Sequence, residues 1–200
     1  MTKRWKNRPE GSNWGDFGED DQKGRLNLLT PARVKAAMAE VHEGVRFCLS
    51  LPLDLPGGRN LNPRRFPPRH FATERGGLAN FNLPLSIDDP RHLDVVCDDA
   101  VLLCLQYSSQ WDSFAHVGAR FDANGDGIAE NCFYNGWTAE DYLDAPDEIA
   151  EAAEFQRYPN AKVRRLGIEN MAEACVQGRG VMIDLHAHYG DARHYVGYDE

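Results

Sequence analysis

The sequence predicts an α/β fold. Residues 30–44 repeat apolar side chains at helical spacing between start and stop signals. Residues 45–53 alternate apolar and polar as a half-buried strand does. The apolar runs at 101–105 and 180–185 read as buried strands, with helical stretches between them. Strands and helices therefore interleave along 200 residues, the length of one ordinary domain. At 42% hydrophobic and 10% aromatic, the chain carries enough apolar side chains for a core and too many for a disordered segment.

The elements follow in order. The segment up to Asp20 mixes Gly, Asn, Trp and acids, so it should be irregular and pinned by Trp14 and Phe17. In TPARVKAAMAEVHEG (30–44), Thr30 is an N-cap residue and Pro31 suits the first turn. Val34, Ala37, Met38 and Val41 form the apolar face, and Gly44 marks the end. VRFCLSLPL (45–53) predicts a strand. Residues 54–80, rich in Pro, Gly, Asn and Arg, predict a long functional loop or flap. DVVCDDAVLLCLQYSS (94–109) predicts one or two strands around an Asp98-Asp99 turn, with VLLCL buried on both faces. AEDYLDAPDEIAEAAEF (139–155) reads as helical in its second half. GIENMAEACVQG (167–178) predicts a helix ended by Gly178, and GVMIDLHAH (180–188) a buried strand. There is no internal repeat or low-complexity tract.

Charge and composition exclude several classes of function. The formal net charge is −9 and the basic clusters (KRWKNR, RRFPPRH, KVRR) are short, so no basic face for nucleic acid is expected. No apolar run approaches the roughly 18–20 residues of a membrane helix, and the charged start lacks the apolar region of a secretory signal. The five cysteines are scattered without a CxxC pair, which predicts free thiols in a reducing compartment, the cytoplasm by default.

The stretch LQYSSQWDSFAH (105–116) carries the candidate chemistry. It leaves the apolar VLLCL run and turns polar, as the C-terminal ends of α/β strands do at binding sites. Gln106, Gln110 and Asp112 can present three oxygens to one point, a hard donor set fit for Mn, Mg, Ca or Lewis-acidic Zn. His116 follows four residues later, placed to support a ligand from behind or to act as a general base. The competing reading is a polar strand end whose side chains satisfy nearby backbone, since Gln is a rare metal ligand.

Two other stretches resemble sites. DANGDGIAENCF (122–133) fits the first half of a calcium loop, but Phe133 stands where the bidentate Glu belongs, which favours a tight turn between strands. His186 and His188 would face one side of a strand, a geometry that suits either a metal or simple solvation.

Three segments together resemble the cyclase family of metal-dependent hydrolases, which includes kynurenine formamidase, isatin hydrolase and trans-dienelactone hydrolase. They are SNWGDFGEDDQKGRLNLLTPARV (12–34), SSQWDSFAHVG (108–118) and RGVMIDL (179–185). The family motif His-x-Gly-Thr-His-x-Asp-x-Pro-x-His lays its two first imidazoles on Gln106 and Gln110, its Asp on Asp112 and its last His on His116. Ser108-Ser109 replaces Gly-Thr and Phe114 replaces Pro. The Gln-x3-Gln-x-Asp-x3-His version is similar to that of the trans-dienelactone hydrolase branch, which uses zinc. The resemblance implies a mixed β-sheet core with flanking helices in the swivelling β/β/α arrangement of the family. It also implies a single domain over 1–200 without its C-terminal portion, because family members run longer and draw further His and Glu ligands from that part.

The implied function is a cytoplasmic metal-dependent hydrolase that opens a small cyclic ester or amide, a lactone above all. A divalent metal, zinc or else manganese, would sit on Gln106, Gln110 and Asp112, with His116 as the catalytic proton-transfer group. Trp14, Phe17, Trp111 and Phe114 are candidates to line an apolar pocket, with core packing the favoured reading for at least Phe17 and Phe114. Of the loop cluster Arg64, Arg65, Arg69 and His70, a member such as Arg69 or His70 could meet a substrate carboxylate, unless the cluster is simply solvated. The alternatives are an arylformamidase-like amide hydrolase and a non-catalytic small-molecule binding protein on the same fold. The partners expected are a small-molecule substrate and further copies of the chain in a dimer or higher oligomer, with no nucleic acid and no membrane.

Overall fold

A computed structural model describes residues 3–57, 62–144 and 162–190. In chain order the elements are α1 (Pro31–Met38), β1 (Arg69–Ala72), β2 (Glu74–Arg75), β3 (Leu78–Ala79), β4 (Phe81–Pro84), β5 (Val95–Cys97), β6 (Asp99–Leu102), β7 (Ala119–Phe121), β8 (Glu130–Cys132), α2 (Ala139–Tyr142), β9 (Leu143–Asp144), β10 (Lys162–Val163), α3 (Glu169–Ala174) and α4 (Leu185–Tyr189). Among the described residues the strands pair two by two, all antiparallel: β1 with β6, β2 with β3, β4 with β5, β7 with β8, and β9 with β10. Small sheets and short helices are thus mixed, without one continuous sheet. The chain divides into two compact units, Met1–Val45 with Asp112–Glu200, and Arg46–Trp111.

The core of the first unit is aromatic. Trp5, Trp14, Ala123, Cys132, Tyr134 and Leu166 are buried, with Phe114, Phe121, Phe133 and Trp137 packed against them. Trp14 lies edge-on to Trp5 at 5.8 Å and to Phe121 at 6.1 Å, contacts worth about 0.5–1.5 kcal/mol each beyond simple burial. The expected anchoring of the opening segment is therefore carried by Trp14, joined by Trp5.

Asn135 organises the irregular start. It is fully buried and sits at φ 57, in the left-handed region that Asn tolerates better than most residues. Its Oδ1 accepts from the Gly15 N–H at 2.8 Å, and its Nδ2 donates to the carbonyls of Gly18 (3.1 Å) and Asp21 (2.8 Å). Asp21 is a second hub. Its carboxylate accepts from the Gly24 N–H at 2.7 Å, from Asn27 Nδ2 at 2.6 Å and from the Tyr134 hydroxyl at 2.9 Å. Gly24 has φ +56, and a Cβ there would lie 2.6 Å from Phe114 Cζ, so both backbone and space demand glycine.

Helix α1 begins as its sequence requires, with Thr30 Oγ1 accepting from the Arg33 N–H at 3.4 Å and Pro31 in the first turn. It stops at Met38 rather than running to Gly44. Tighter i→i−3 bonds, from Glu40 N–H to Ala37 and from Val41 N–H to Met38, wind it down. Only Ala37 of its apolar face is buried, and Val41 is exposed. Helix α3 ends at Cys175, at φ 59, three residues before Gly178.

The residues 122–129 form the turn between β7 and β8, as the Asn-Gly and Asp-Gly steps require. The Asp122 carboxylate accepts from the backbone N–H groups of Gly125 (2.7 Å), Asp126 (3.1 Å) and Gly127 (3.0 Å). Its oxygens are thereby committed to backbone.

The second unit corrects three expectations. Much of the predicted loop 54–80 is strand: Arg69 pairs with Leu102 and Ala72 with Asp99, and the β2–β3 hairpin turns through Gly76 and Gly77 at positive φ. Conversely, 45–53 forms no strand, and Phe47 and Leu49 are each about 80% exposed. A strand needs a neighbour to satisfy its N–H and C=O groups, and among the described residues none runs beside this segment. VLLCL likewise contributes only to β6, in a two-stranded pair with Val101 exposed, and is not a central buried strand.

The 180–188 strand is also corrected. Residues 180–184 lie outside regular elements and are exposed, and α4 follows, because Asp184 Oδ1 accepts from the Ala187 N–H at 2.9 Å and starts a helical turn. The predicted helix over 145–155 lies outside the described residues.

Candidate functional site

Within the first unit, Asp112 and His116 stand four residues apart on one turn, closed by the His116 N–H donating to the Ser113 carbonyl at 3.1 Å. His116 Nε2 lies 3.7 Å from Asp112 Oδ2, an ion-pair distance rather than a direct hydrogen bond. Both side chains are partly open to solvent. The turn is fixed from beneath. Phe114 stacks on Tyr134 with ring centroids 4.4 Å apart, and the Ala115 N–H donates to the Leu166 carbonyl at 3.2 Å. Leu166 is itself fully buried, and its N–H donates to Gln22 Oε1 at 2.7 Å. Phe114, standing at the motif's Pro position, thus serves packing. Burial of the Tyr134 phenol beside Asp21 pushes its ionisation well above the ordinary tyrosine range, so the ring stays neutral and its hydroxyl stays a donor.

Within the second unit, Gln106 sits in the 3-10 turn Leu105–Tyr107 at φ −89, ψ 18. Arg65 holds this turn by donating from a guanidinium nitrogen to the Gln106 carbonyl at 2.6 Å. Two residues on, Ser108 is buried and its hydroxyl donates toward the carbonyls of Pro52 (3.0 Å) and Leu55. Gln110 and Trp111 are exposed and lie outside regular elements. Arg69 and His70 lie on β1, and His70 Nε2 is hydrogen-bonded to Asp99 Oδ2. From the sequence Asp99 reads only as part of a turn, since nothing in a Pro-rich stretch announces a strand that would bring residue 70 to residue 99.

Trp14 belongs to the core of its unit, where packing accounts for it. His186 and His188 lie on a helix, where a two-residue step of about 200° turns them apart, so the strand geometry that could share a metal is absent.

Among the described residues, no group of three or more His, Cys, Asp or Glu converges as a metal site would. Asp112 and His116 are a pair only. Amide oxygens such as those of Gln106 and Gln110 suit a hard or borderline cation. The described helices include none long and apolar enough to cross a membrane.

No protein-family model matches this chain, and no curated protein matches it. A solved structure does. The crystal structure of a protein described as a novel cyclase is similar to this fold with a TM-score of 0.58, at 28% sequence identity over 89% of this chain. This chain spans half of that protein's length, 50%. The class of fold is accordingly that of a cyclase-like protein.

Proposed function

We propose that the chain belongs to a metal-dependent hydrolase that opens a small cyclic ester or amide. The observation that carries this reading is the Asp112–His116 pair on one braced turn, in the series Gln106-x3-Gln110-x-Asp112-x3-His116, on a fold similar to a cyclase. Gln106, Gln110 and Asp112 would hold a divalent metal, zinc or else manganese, whose chemistry is to polarise a carbonyl and acidify water. His116 takes the proton from the attacking water and returns it to the leaving oxygen or nitrogen. Asp112 Oδ2, 3.7 Å from His116 Nε2, flanks the imidazole during that transfer. Trp111 offers an apolar face to the substrate ring, and Arg69 a cation for a carboxylate substituent. The finer fold assignment is the swivelling β/β/α arrangement, in an oligomer of at least two copies in the cytoplasm. An aryl formamide would present the same carbonyl chemistry.

A second reading is favoured by the two amides standing where imidazoles are usual: a small-molecule binding protein without turnover. Elemental analysis of the purified protein, with lactone, cyclic-amide and formamide hydrolysis before and after Asp112→Ala, separates the two. The hydrolase reading expects near-stoichiometric metal and activity, both lost in the variant. A folded Asp112→Ala protein with unchanged activity overturns it, and absence of both metal and turnover selects the binding protein.

A further inference from the structure

The second unit contains a cavity of about 530 Å³ that the Gln106–His116 series does not account for. Leu53, Asp54, Pro68, His70, Asp99, Ala100 and Val101 line it. This volume lies within the range of small-molecule sites. We propose that the cavity binds a small, uncharged, mainly apolar molecule carrying an acidic O–H or N–H, which it donates to His70.

The argument starts from the strand register. His70 is opposite Val101 and Ala72 is opposite Asp99 in the β1–β6 pair. Side chains two apart on a strand share a face, so His70 and Asp99 are diagonal neighbours on one face of the ribbon. Their hydrogen bond joins Nε2 to Oδ2. A carboxylate can only accept, so Nε2 carries the proton, and the neutral ring keeps its lone pair on Nδ1. Among the described residues the His70 imidazole makes no other hydrogen bond. Asp99 thus fixes one tautomer of an imidazole on the cavity wall and leaves the other ring nitrogen as an acceptor.

The rest of the wall selects the ligand. Leu53, Pro68, Ala100 and Val101 supply apolar surface for a ring. Asp54 and Asp99 add carboxylates, and among the described residues no Lys or Arg lines the cavity, so an anion is repelled. What remains complementary is an apolar body with one polarised hydrogen. Phenol is the simplest such molecule, and benzene is its control without the hydrogen.

The test is a titration of the whole protein with phenol, following the imidazole Cε1–H signals by heteronuclear NMR, with the His70 signal assigned from His70→Gln. The expected result is a saturable shift of the His70 signal, with benzene binding at least fivefold more weakly. Asp99→Ala, half-exposed and therefore tolerable to the fold, should weaken phenol at least fivefold, and Asp99→Asn, which keeps an acceptor, should fall between. No saturable shift, equal affinity for phenol and benzene, or wild-type affinity in folded Asp99→Ala would each overturn the proposal. Should Asp99→Ala fail to fold, the phenol–benzene comparison on the wild-type protein decides alone.

Discussion

Replacing Asn135 should cost more stability than any exposed substitution, and the structure gives the size. Asn135→Gly keeps the φ 57 backbone without strain but removes three hydrogen bonds, to Gly15, Gly18 and Asp21. A net loss of about 1 kcal/mol per bond, plus the space left by a side chain with no solvent exposure, gives about 3–4 kcal/mol. The bonds hold backbone that is itself partly exposed, so water recovers some of the desolvation and the full penalty for orphaned groups is not reached. Asn135→Ala loses the same bonds and must in addition place a Cβ in the left-handed region, for about 1 kcal/mol more. Urea unfolding followed by tryptophan fluorescence reads both, since Trp5 and Trp14 sit in the same core. An Asn135→Gly protein within about 1 kcal/mol of wild type, or an alanine variant more stable than the glycine one, would refute the assignment of Asn135 as the anchor of the opening segment.

Tyr134→Phe should cost about 1 kcal/mol near neutral pH through the lost bond to Asp21. The fold raises the ionisation of this phenol, so its contribution is complete below about pH 10, the ordinary tyrosine value, and fades as pH rises through the folded one. Urea midpoints between pH 8 and 11 should therefore fall more steeply for wild type than for Tyr134→Phe, and parallel curves would contradict this. Asp122→Ala should cost about 1–2 kcal/mol by releasing three backbone N–H groups of the β7–β8 turn. Millimolar calcium should move the wild-type melting temperature by less than about 1 °C, because these oxygens already serve backbone. A calcium-dependent rise of several degrees would restore the calcium-loop reading.

The sequence exposed features whose cause is local, and hid those that depend on a distant partner. The Thr30–Pro31 helix start and the Asn-Gly/Asp-Gly turn at 122–129 came through because capping and turn chemistry act within a few residues. The strands at 69–79 did not, since their pairing joins Arg69 to Leu102 across a Pro-rich stretch that signals a loop. Alternation at 45–53 misled for the opposite reason. It reports that a segment could lie on a sheet, and a sheet needs a second strand that the described residues do not place there. At 180–188 a local signal defeated a periodic one, because Asp184 caps a helical turn and takes the histidines with it. Of the candidate site, the Asp112–His116 pairing followed from a four-residue spacing on a turn, whereas the roles of Asp99 and Asn135 required contacts 29 and 120 residues apart.

The opening segment that resembles the cyclase signature also acquires a physical purpose. Its polar residues are spent on internal structure: Asp21 ties together Gly24, Asn27 and the Tyr134 hydroxyl, and Gln22 holds the Leu166 N–H. Tyr134 then stacks on Phe114, and the Leu166 carbonyl accepts from Ala115. Phe114 and Ala115 are two of the three residues between Asp112 and His116. Two chains of contacts thus run from the signature to the turn that sets the carboxylate and the imidazole 3.7 Å apart. A signature of this kind need not touch a ligand to shape a site. It fixes the backbone that carries Asp112 and His116, and packing from below leaves both side chains partly open on the solvent side, which is the arrangement the proposed hydrolase requires.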